Sequence, residues 1–436
     1  MAIESLATSL AIDESLHAAF ERFLNERGQR PRLLSLGEPF HGEETFPRLR
    51  NDLLRGLVDH ARCRCVALES DCLAGRLVDD YVLGGTWHLD QVMADGISHG
   101  FGAFPANRAL VEWLGEHNRV HAPEDQVRFA GFDAPMENSA ESGAHSPRAA
   151  LDILHTFLMA NRASVPHSWS RIEDLLGDEA RWTNPAATMD PSQSIGDSAG
   201  VRELRLITDD LGRLLTSRAP QFTEDNASDA PRSDAVRSNA PGSNAPGSDA
   251  LRDAELAART AAGLLAYHAV LARTDPQERM ESCMGIRDAM MAANLHALAT
   301  REHDHGHGPV LAFTHNEHLR RNAARNVGWS PAGAHLARTY GRDYVAIATA
   351  IGSAPHRGID EPPANTVEGL LAATTSTPRL VPLTELTALV AESTNLTRRT
   401  TENRGYFPLD PAKLTDFDTV LFLPHIAPPG PATEAE

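Results

Sequence analysis

The chain is 436 residues long, enough for one large domain with a lobe or for two domains, and either would bury a sizeable core; it is not a small disulfide-stapled module. Hydrophobic residues make up 42% and charged residues 23%, as in an ordinary globular protein, and the formal net charge of -19 excludes the basic footprint of a nucleic-acid binder and disfavours docking on an anionic membrane. Lys413 is the single lysine, a bias we ascribe to the codon usage of a GC-rich bacterium rather than to physics.

Met1 to Phe23 carry acids and no basic segment ahead of an apolar core, and no stretch approaches the roughly 20 apolar residues of a membrane helix. The expectation is a cytoplasmic protein without a membrane partner. Arg32–Leu36 reads as a buried strand that runs out into Gly37-Glu38-Pro39-Phe40-His41, with Gly42 permitting a turn. A helix is predicted over Glu44 to His60. At about 100° per residue, Phe46, Leu53, Leu54, Leu57 and Val58 share one arc and Arg50 falls near its middle, opposite Arg48, Asp52, Arg55 and Asp59. An inward guanidinium needs a partner, because an unpaired buried charge costs several kcal/mol, and Glu38 or Glu69 is the expected one.

Arg64–Leu68 is the second strand and delivers Glu69. Cys63 and Cys65 alternate with Arg62 and Arg64, so their thiols are expected on one side with Cys72 nearby. We read them as small buried hydrophobes rather than zinc ligands, and four cysteines make no disulfide framework in a chain this long. Val127–Phe132 delivers Asp133. Ala149 to Leu215 and Asp253 to Thr300 then show helical spacing with no strong strand run.

Between those helical regions, Ser228 to Arg252 is five tandem pentapeptides of the type Ser-Asp-Ala-Pro-Arg, a period too short for a solenoid unit and too polar to drive ordering. A disordered surface loop, bounded at 224–252, is expected. His303, His305 and His307 alternate in a glycine-containing loop, where exposed histidines take up transition metals adventitiously. Pro309–Thr314 is a fourth strand ending in His315-Asn316-Glu317-His318, which opens a helix; Tyr344–Ala350, Arg379–Leu383 and Thr419–Pro424 complete the strand-like runs.

The pattern predicts an α/β fold with an open central sheet flanked by helices. Residues 1–140 and 301–436 form the core and 141–300 a helical insertion lobe. In such sheets ligands occupy the crevice at the carboxyl ends of the strands, so four strands that each end in a polar residue of catalytic type point to one acid–base site. His41, His315 and His318 with Glu38, Glu69 and Asp133 also have the donor chemistry of a zinc or manganese site. No Gly-x-Ser-x-Gly elbow is present, which favours direct attack by water over a serine nucleophile.

These residues resemble the erythromycin esterase family. The likeness rests on Gly37-Glu38-x-x-His41-Gly42 with Phe46, Leu49 and Arg50 downstream, then Val66–Glu69, Gly131–Asp133, Arg287-Asp288-x-x-Met291-Ala292-x-Asn294-Leu295 and His315-Asn316-x-His318, all in the family's order over roughly residues 30 to 425. The resemblance implies a mixed-sheet α/β fold with a helical lobe and hydrolysis of a macrolide lactone without metal, cofactor or covalent intermediate. It implies His41 as general base, Glu38, Arg50 and Glu69 as its supporting cluster, and His315 and His318 as opposing histidines. Asp133, Asn316, Arg287, Asn294 and Phe40 are the supporting or substrate-binding candidates. Pro39-Phe40 and Thr314 depart from the family's usual small residues, and Phe40 is expected to add bulk beside the base. On this reading the partner is a small-molecule natural product. The rivals are a biosynthetic tailoring enzyme, hydrolytic or eliminating, on the same scaffold, and a non-catalytic ligand-binding homologue.

Overall fold

The computed structural model describes residues 16–139, 142–161, 163–224, 247–323 and 328–428. In chain order the strands are β1 (Leu33–Glu38), β2 (Cys65–Asp71), β3 (Arg128–Asp133), β4 (Met136–Ser139), β5 (Ser142–Ala144), β6 (Val310–His315), β7 (Tyr344–Ser353), β8 (Arg379–Pro382) and β9 (Thr419–His425). All seven strands expected from sequence enter one sheet, in the order β3-β2-β6-β1-β7-β9-β8, and every pairing is parallel except β8 against β9. The short antiparallel pair β4 and β5 was not legible as strand.

Burial on both faces explains why the strands read as continuous apolar runs rather than alternating ones. Leu34, Leu36, Val66, Leu68, Leu311 and Phe313 join one core layer, and Leu33, Ala67, Val310, Ala312 and Ala346 the other. The main helices are α1 (Leu16–Glu26), α2 (Thr45–Ala61), α3 (Gly75–Val82), α4 (Leu89–Gly96), α5 (Pro105–Val120), α6 (Arg148–Ala160), α7 (Trp169–Leu176), α8 (Ala199–Glu224), α9 (Gly247–Leu271) and α10 (Pro276–Asp304). Leu151, Leu154 and Leu158 of α6, Leu204 and Leu211 of α8 and Ala254, Ala261 and Leu265 of α9 close a separate helical core around Trp182. α10 serves both regions. Its N-terminal half packs by Cys283 and Met290 on α9, whereas Met291, Leu295 and Ala299 lie in the sheet's core layer, so the expected lobe boundary at 300 falls inside a helix of the sheet.

Two expectations are corrected. Cys63 and Cys65 do not face one way: Arg62 ends α2 in a left-handed conformation (φ 56°) and Cys63 precedes the strand, so the two thiols enter opposite core layers, while Cys72 sits against Thr260. All four cysteines are free and buried, and burial pushes the Cys63 and Cys72 thiols up to about 12. The repeat segment is not loop throughout. Residues 225–246 lie outside the described residues, but the last pentapeptide, Ser248 to Arg252, is already in α9, where Leu251 is buried and Asp249 pairs with Arg128 and Arg252. No helix among the described residues is long and apolar enough to cross a membrane.

Candidate functional site

Register brings the strand ends to one rim. Glu38 is level with His315, Leu36 and Leu68 are both level with Phe313, and Asp71 is level with Asp133. Because β6 lies between β1 and β2, the connection through α2 steps over it and opens a crevice at their carboxyl ends. At this rim Gly37 is required by close approach: a Cβ there would lie 2.1 Å from Asn316 Oδ1. Asn316 uses that space to donate from Nδ2 to Thr349 O (2.8 Å) and to accept from Thr349 N (3.1 Å), and so extends the junction of β1 and β7. It is wholly buried, so it supports the site without reaching a substrate.

His41 lies just beyond β1. Its Nδ1 is 2.6 Å from Glu38 Oε1 and its Nε2 is 3.9 Å from Glu69 Oε1, and its side chain is 42% exposed against 5–7% for the two carboxylates. Gly42 follows at φ 89°, a conformation that favours glycine, and lets Arg357 Nη2 donate to His41 O (3.1 Å). Burial alone would lower the His41 pKa, but the hydrogen bond and charge of Glu38 and the charge of Glu69 outweigh it and raise His41 to about 9. Burial raises Glu38, partly opposed by His41.

Glu69 is the hub. Thr314 Oγ1 (2.5 Å) and His315 N (2.8 Å) donate to its Oε2, and Arg287 Nη2 donates to its Oε1 (2.9 Å), where His318 Nε2 stands at 3.5 Å. Its burial works against ionisation, but His318, His41 and Arg287 hold the carboxyl well below its ordinary range. Arg287 also forks onto Asp133, with Nε 3.0 Å from Oδ1 and Nη2 2.5 Å from Oδ2. Desolvation opposes the charge of Asp133 too, and Arg287 more than compensates. His318 is clamped by Asp288 Oδ1 at Nδ1 (2.7 Å); against its burial, Asp288 and Glu69 raise its pKa.

His315 differs. Its ring centroid is 5.2 Å from that of His41, its Nδ1 accepts from Glu317 N (3.2 Å), and its Nε2 stands 3.4 Å from Gly405 O, which places the ring hydrogen on Nε2. Burial and the nearby His41 charge lower it to about 4, so it is neutral where His41 is cationic.

The erythromycin esterase family model matches residues 58–426. The chain belongs to the erythromycin esterase family. No curated protein matches it in sequence. Three solved structures share the fold over nearly the whole chain. A Bacillus cereus protein aligns at 16% identity and TM-score 0.66, covering 97% of each chain, and a succinoglycan biosynthesis protein at 13% and 0.63, covering 97% of this chain and 96% of that one. EreC, an erythromycin esterase solved as a mutant in its open conformation, aligns at 16% and 0.61, covering 93% of each. The family match begins at Val58, so Glu38, His41 and Arg50 precede it and geometry alone joins them to the family-matched residues.

Two residues singled out from the sequence, Thr314 and Phe40, have defined places. Thr314 contributes a hydroxyl donor to Glu69 that an alanine lacks. Phe40 does not crowd the base: it is 2% exposed and turns into the core against Phe46 (5.2 Å between centroids) and Tyr406 (6.3 Å). Arg50 is fully buried as expected, and the charge of Glu38 favours its protonated form, yet neither Glu38 nor Glu69 hydrogen-bonds to it. It donates to Asn51 Oδ1 (Nε 3.0 Å, Nη2 2.7 Å) and to Asn107 Oδ1 (2.9 Å), and lies over the Phe313 ring at 5.0 Å. With no carboxylate in contact, burial lowers its pKa to about 9. Among the described residues its Nη1 has no hydrogen-bond partner, and Arg50 borders a niche of about 30 Å³ shared with Glu38 and Glu69, large enough for a water.

Asn294 donates to Phe132 O (3.1 Å) and steadies β3 beside Asp133 rather than entering the crevice. Sequence reasoning missed Asp288, although it sits inside the Arg287–Leu295 motif. It also missed the loop after α4, where His99 (φ 58°) reaches Asp133 Oδ2 (3.1 Å) and Phe101 packs on His41 (5.3 Å); no local spacing marks that loop. Among the described residues, no three His, Cys, Asp or Glu side chains stand together as a metal-binding group.

Proposed function

We propose that the protein is an esterase-like hydrolase in which His41 activates water to open an ester or lactone. The observation that supports this most is the contrast in exposure. His41 is the half-exposed member of a cluster whose other charged groups are 8% exposed or less, so it is the one that a water and a carbonyl can reach together. Neutral His41 keeps its Nδ1 hydrogen on Glu38 and takes a proton at Nε2 as water attacks the carbonyl carbon. The imidazolium so formed lies between two carboxylates, Glu38 and Glu69, which stabilises it as charge develops. The carbon–oxygen bond to the alcohol then breaks, and the proton on His41 passes to the departing alkoxide.

His315 is better placed than His318 to donate to the oxyanion. Both nitrogens of His318 are engaged by Asp288 and Glu69, whereas the Nε2 hydrogen of His315 is held only by a 3.4 Å contact. Such a donor typically contributes a few kcal/mol to the transition state. Glu69, fixed by three strong donors, acts as a permanent anion rather than a base.

Macrolides are the first substrates to try, because the family and EreC carry the name erythromycin esterase. Purified protein is incubated with a panel of macrolides and simpler lactones and followed by mass spectrometry for the gain of one water. His41→Ala is expected to abolish that gain while melting like the parent; near-native turnover in that variant would reject the assignment.

A further inference from the structure

The loop between α4 and α5, residues 97–104, reaches the crevice from outside every motif read in the sequence, and it is pinned at two points. Ser98 Oγ accepts from Asp71 N (2.8 Å) and Ser98 N donates to Ser70 Oγ (2.9 Å), which ties the loop to the end of β2 directly after Glu69. One residue on, His99 Nε2 stands 3.1 Å from Asp133 Oδ2 at the end of β3. At φ 58° His99 lies in the left-handed region, which a residue with a Cβ holds only where its surroundings over-determine it.

What the pinned loop aims is Phe101. Its ring stands 5.3 Å from that of His41 at an interplanar angle of 48°, and 6.1 Å from Phe104. Phe101 packs on the main core, yet both phenyl rings are only partly buried. A partly exposed phenyl beside the half-exposed base is apolar surface that a ligand at His41 would cover. The charges there narrow the ligand further. Glu38 and Glu69 are the carboxylates that act on His41, while Arg287 is 8% exposed and taken up by Glu69 and Asp133, and Arg50 is wholly buried on Asn51 and Asn107. A negative group placed here would face two carboxylates, so a neutral ligand is favoured.

We propose that Phe101 is the specificity-determining wall of the crevice and selects esters whose group beside the carbonyl is neutral and apolar. This deepens the hydrolytic reading and rests on it for the ester, whereas binding alone tests the wall.

The test uses neutral ketones, which present a carbonyl but cannot be hydrolysed. They are titrated into the full chain at pH 7 and followed by the His41 ring signal, assigned by its absence in His41→Asn. The ketone 4-phenyl-2-butanone is expected to move that signal saturably, with 2-butanone and the charged 4-(3-oxobutyl)benzoate each binding at least about tenfold more weakly. Phe101→Ala should weaken 4-phenyl-2-butanone by about tenfold and leave 2-butanone unchanged, and Phe101→Leu, which keeps apolar bulk, should recover most of the loss. No response to 4-phenyl-2-butanone, equal affinity for the charged ketone, unchanged binding in Phe101→Ala, or an equal loss for both neutral ketones, the mark of a merely loosened loop, would each overturn the proposal. Turnover of methyl 3-phenylpropionate separates the two readings. Ketone binding without turnover of that ester or of any macrolide rejects the hydrolase and keeps the wall, whereas turnover with an unchanged KM in Phe101→Ala rejects the wall and keeps the hydrolase.

Discussion

Glu38→Gln separates the electrostatic account of His41 from a merely positional one. In the parent, Glu38 Oε1 lies 2.6 Å from Nδ1 and Glu69 Oε1 3.9 Å from Nε2. Both carboxylates pull on the ring through their charge, and Glu38 adds a charge-assisted hydrogen bond, the largest of the effects that raise His41 to about 9. Removing its charge should lower the His41 pKa by about a unit or more, and the neutral fraction at pH 7 should climb from about 1% to about a tenth or more. The assay needs no substrate: histidine ring proton–carbon spectra are recorded from pH 5 to 10, with the His41 signal assigned by its absence in His41→Asn. If the parent signal titrates between 6 and 7, or if Glu38→Gln leaves it near 9, the reasoning fails. Once a substrate is in hand, parent activity should rise about tenfold per pH unit and level off near 9, because the base form is scarce below that value.

Other groups give sharper tests of stability. Arg287→Met strands Asp133 and Glu69 as buried anions and should cost about 3–5 kcal/mol in urea unfolding. By contrast, Arg171→Met breaks an exposed pair with Glu203 and should cost less than about 1 kcal/mol. Thr314→Val removes one donor from buried Glu69 and should lower stability by about 1–3 kcal/mol, with Thr314→Ser restoring most of it. Depressed pKa values at Glu69 and Asp133 contribute stability that is present above the ordinary carboxylate range and lost as pH falls through their folded values. Raised values at His41 and His318 contribute stability that is present below the ordinary histidine pKa and lost as pH rises towards about 9. The urea midpoint should therefore peak between those limits and fall on both sides; a midpoint still rising from pH 7 to 9 contradicts the histidine assignments.

The strand ends were legible because a parallel strand buried on both faces must be apolar along its length, so the first polar residue after it marks the rim; Glu69, Asp133 and His315 were all found by that rule. Arg50 was legible as buried from helical periodicity, but not its partners: Asn51 is its chain neighbour, and Asn107 comes from α5, a contact that no local pattern encodes. Phe40 was misread because sequence adjacency to His41 says nothing of direction where the backbone turns at Gly42. The Cys63 and Cys65 assignment failed for a related reason: period-two alternation was extended two residues before the strand began.

The charge inventory ties these readings together. Glu38, Glu69, Asp133 and Asp288 are four buried acids, and Arg50, Arg287, His318 and His41 supply four positive charges only when both histidines are protonated. Buried charges are tolerated when balanced, so the resting cluster favours the imidazolium at His41. Loss of that proton leaves an excess negative charge beside Nε2, which strengthens the base just where water can reach it. Arg50 favours the ionised form of Glu38 through its charge, without a hydrogen bond to it. Removing the charge of Arg287 should raise the His41 pKa further, whereas removing that of Glu38 lowers it, and opposite shifts from two charges around one imidazole are what a through-space field requires and a packing change does not.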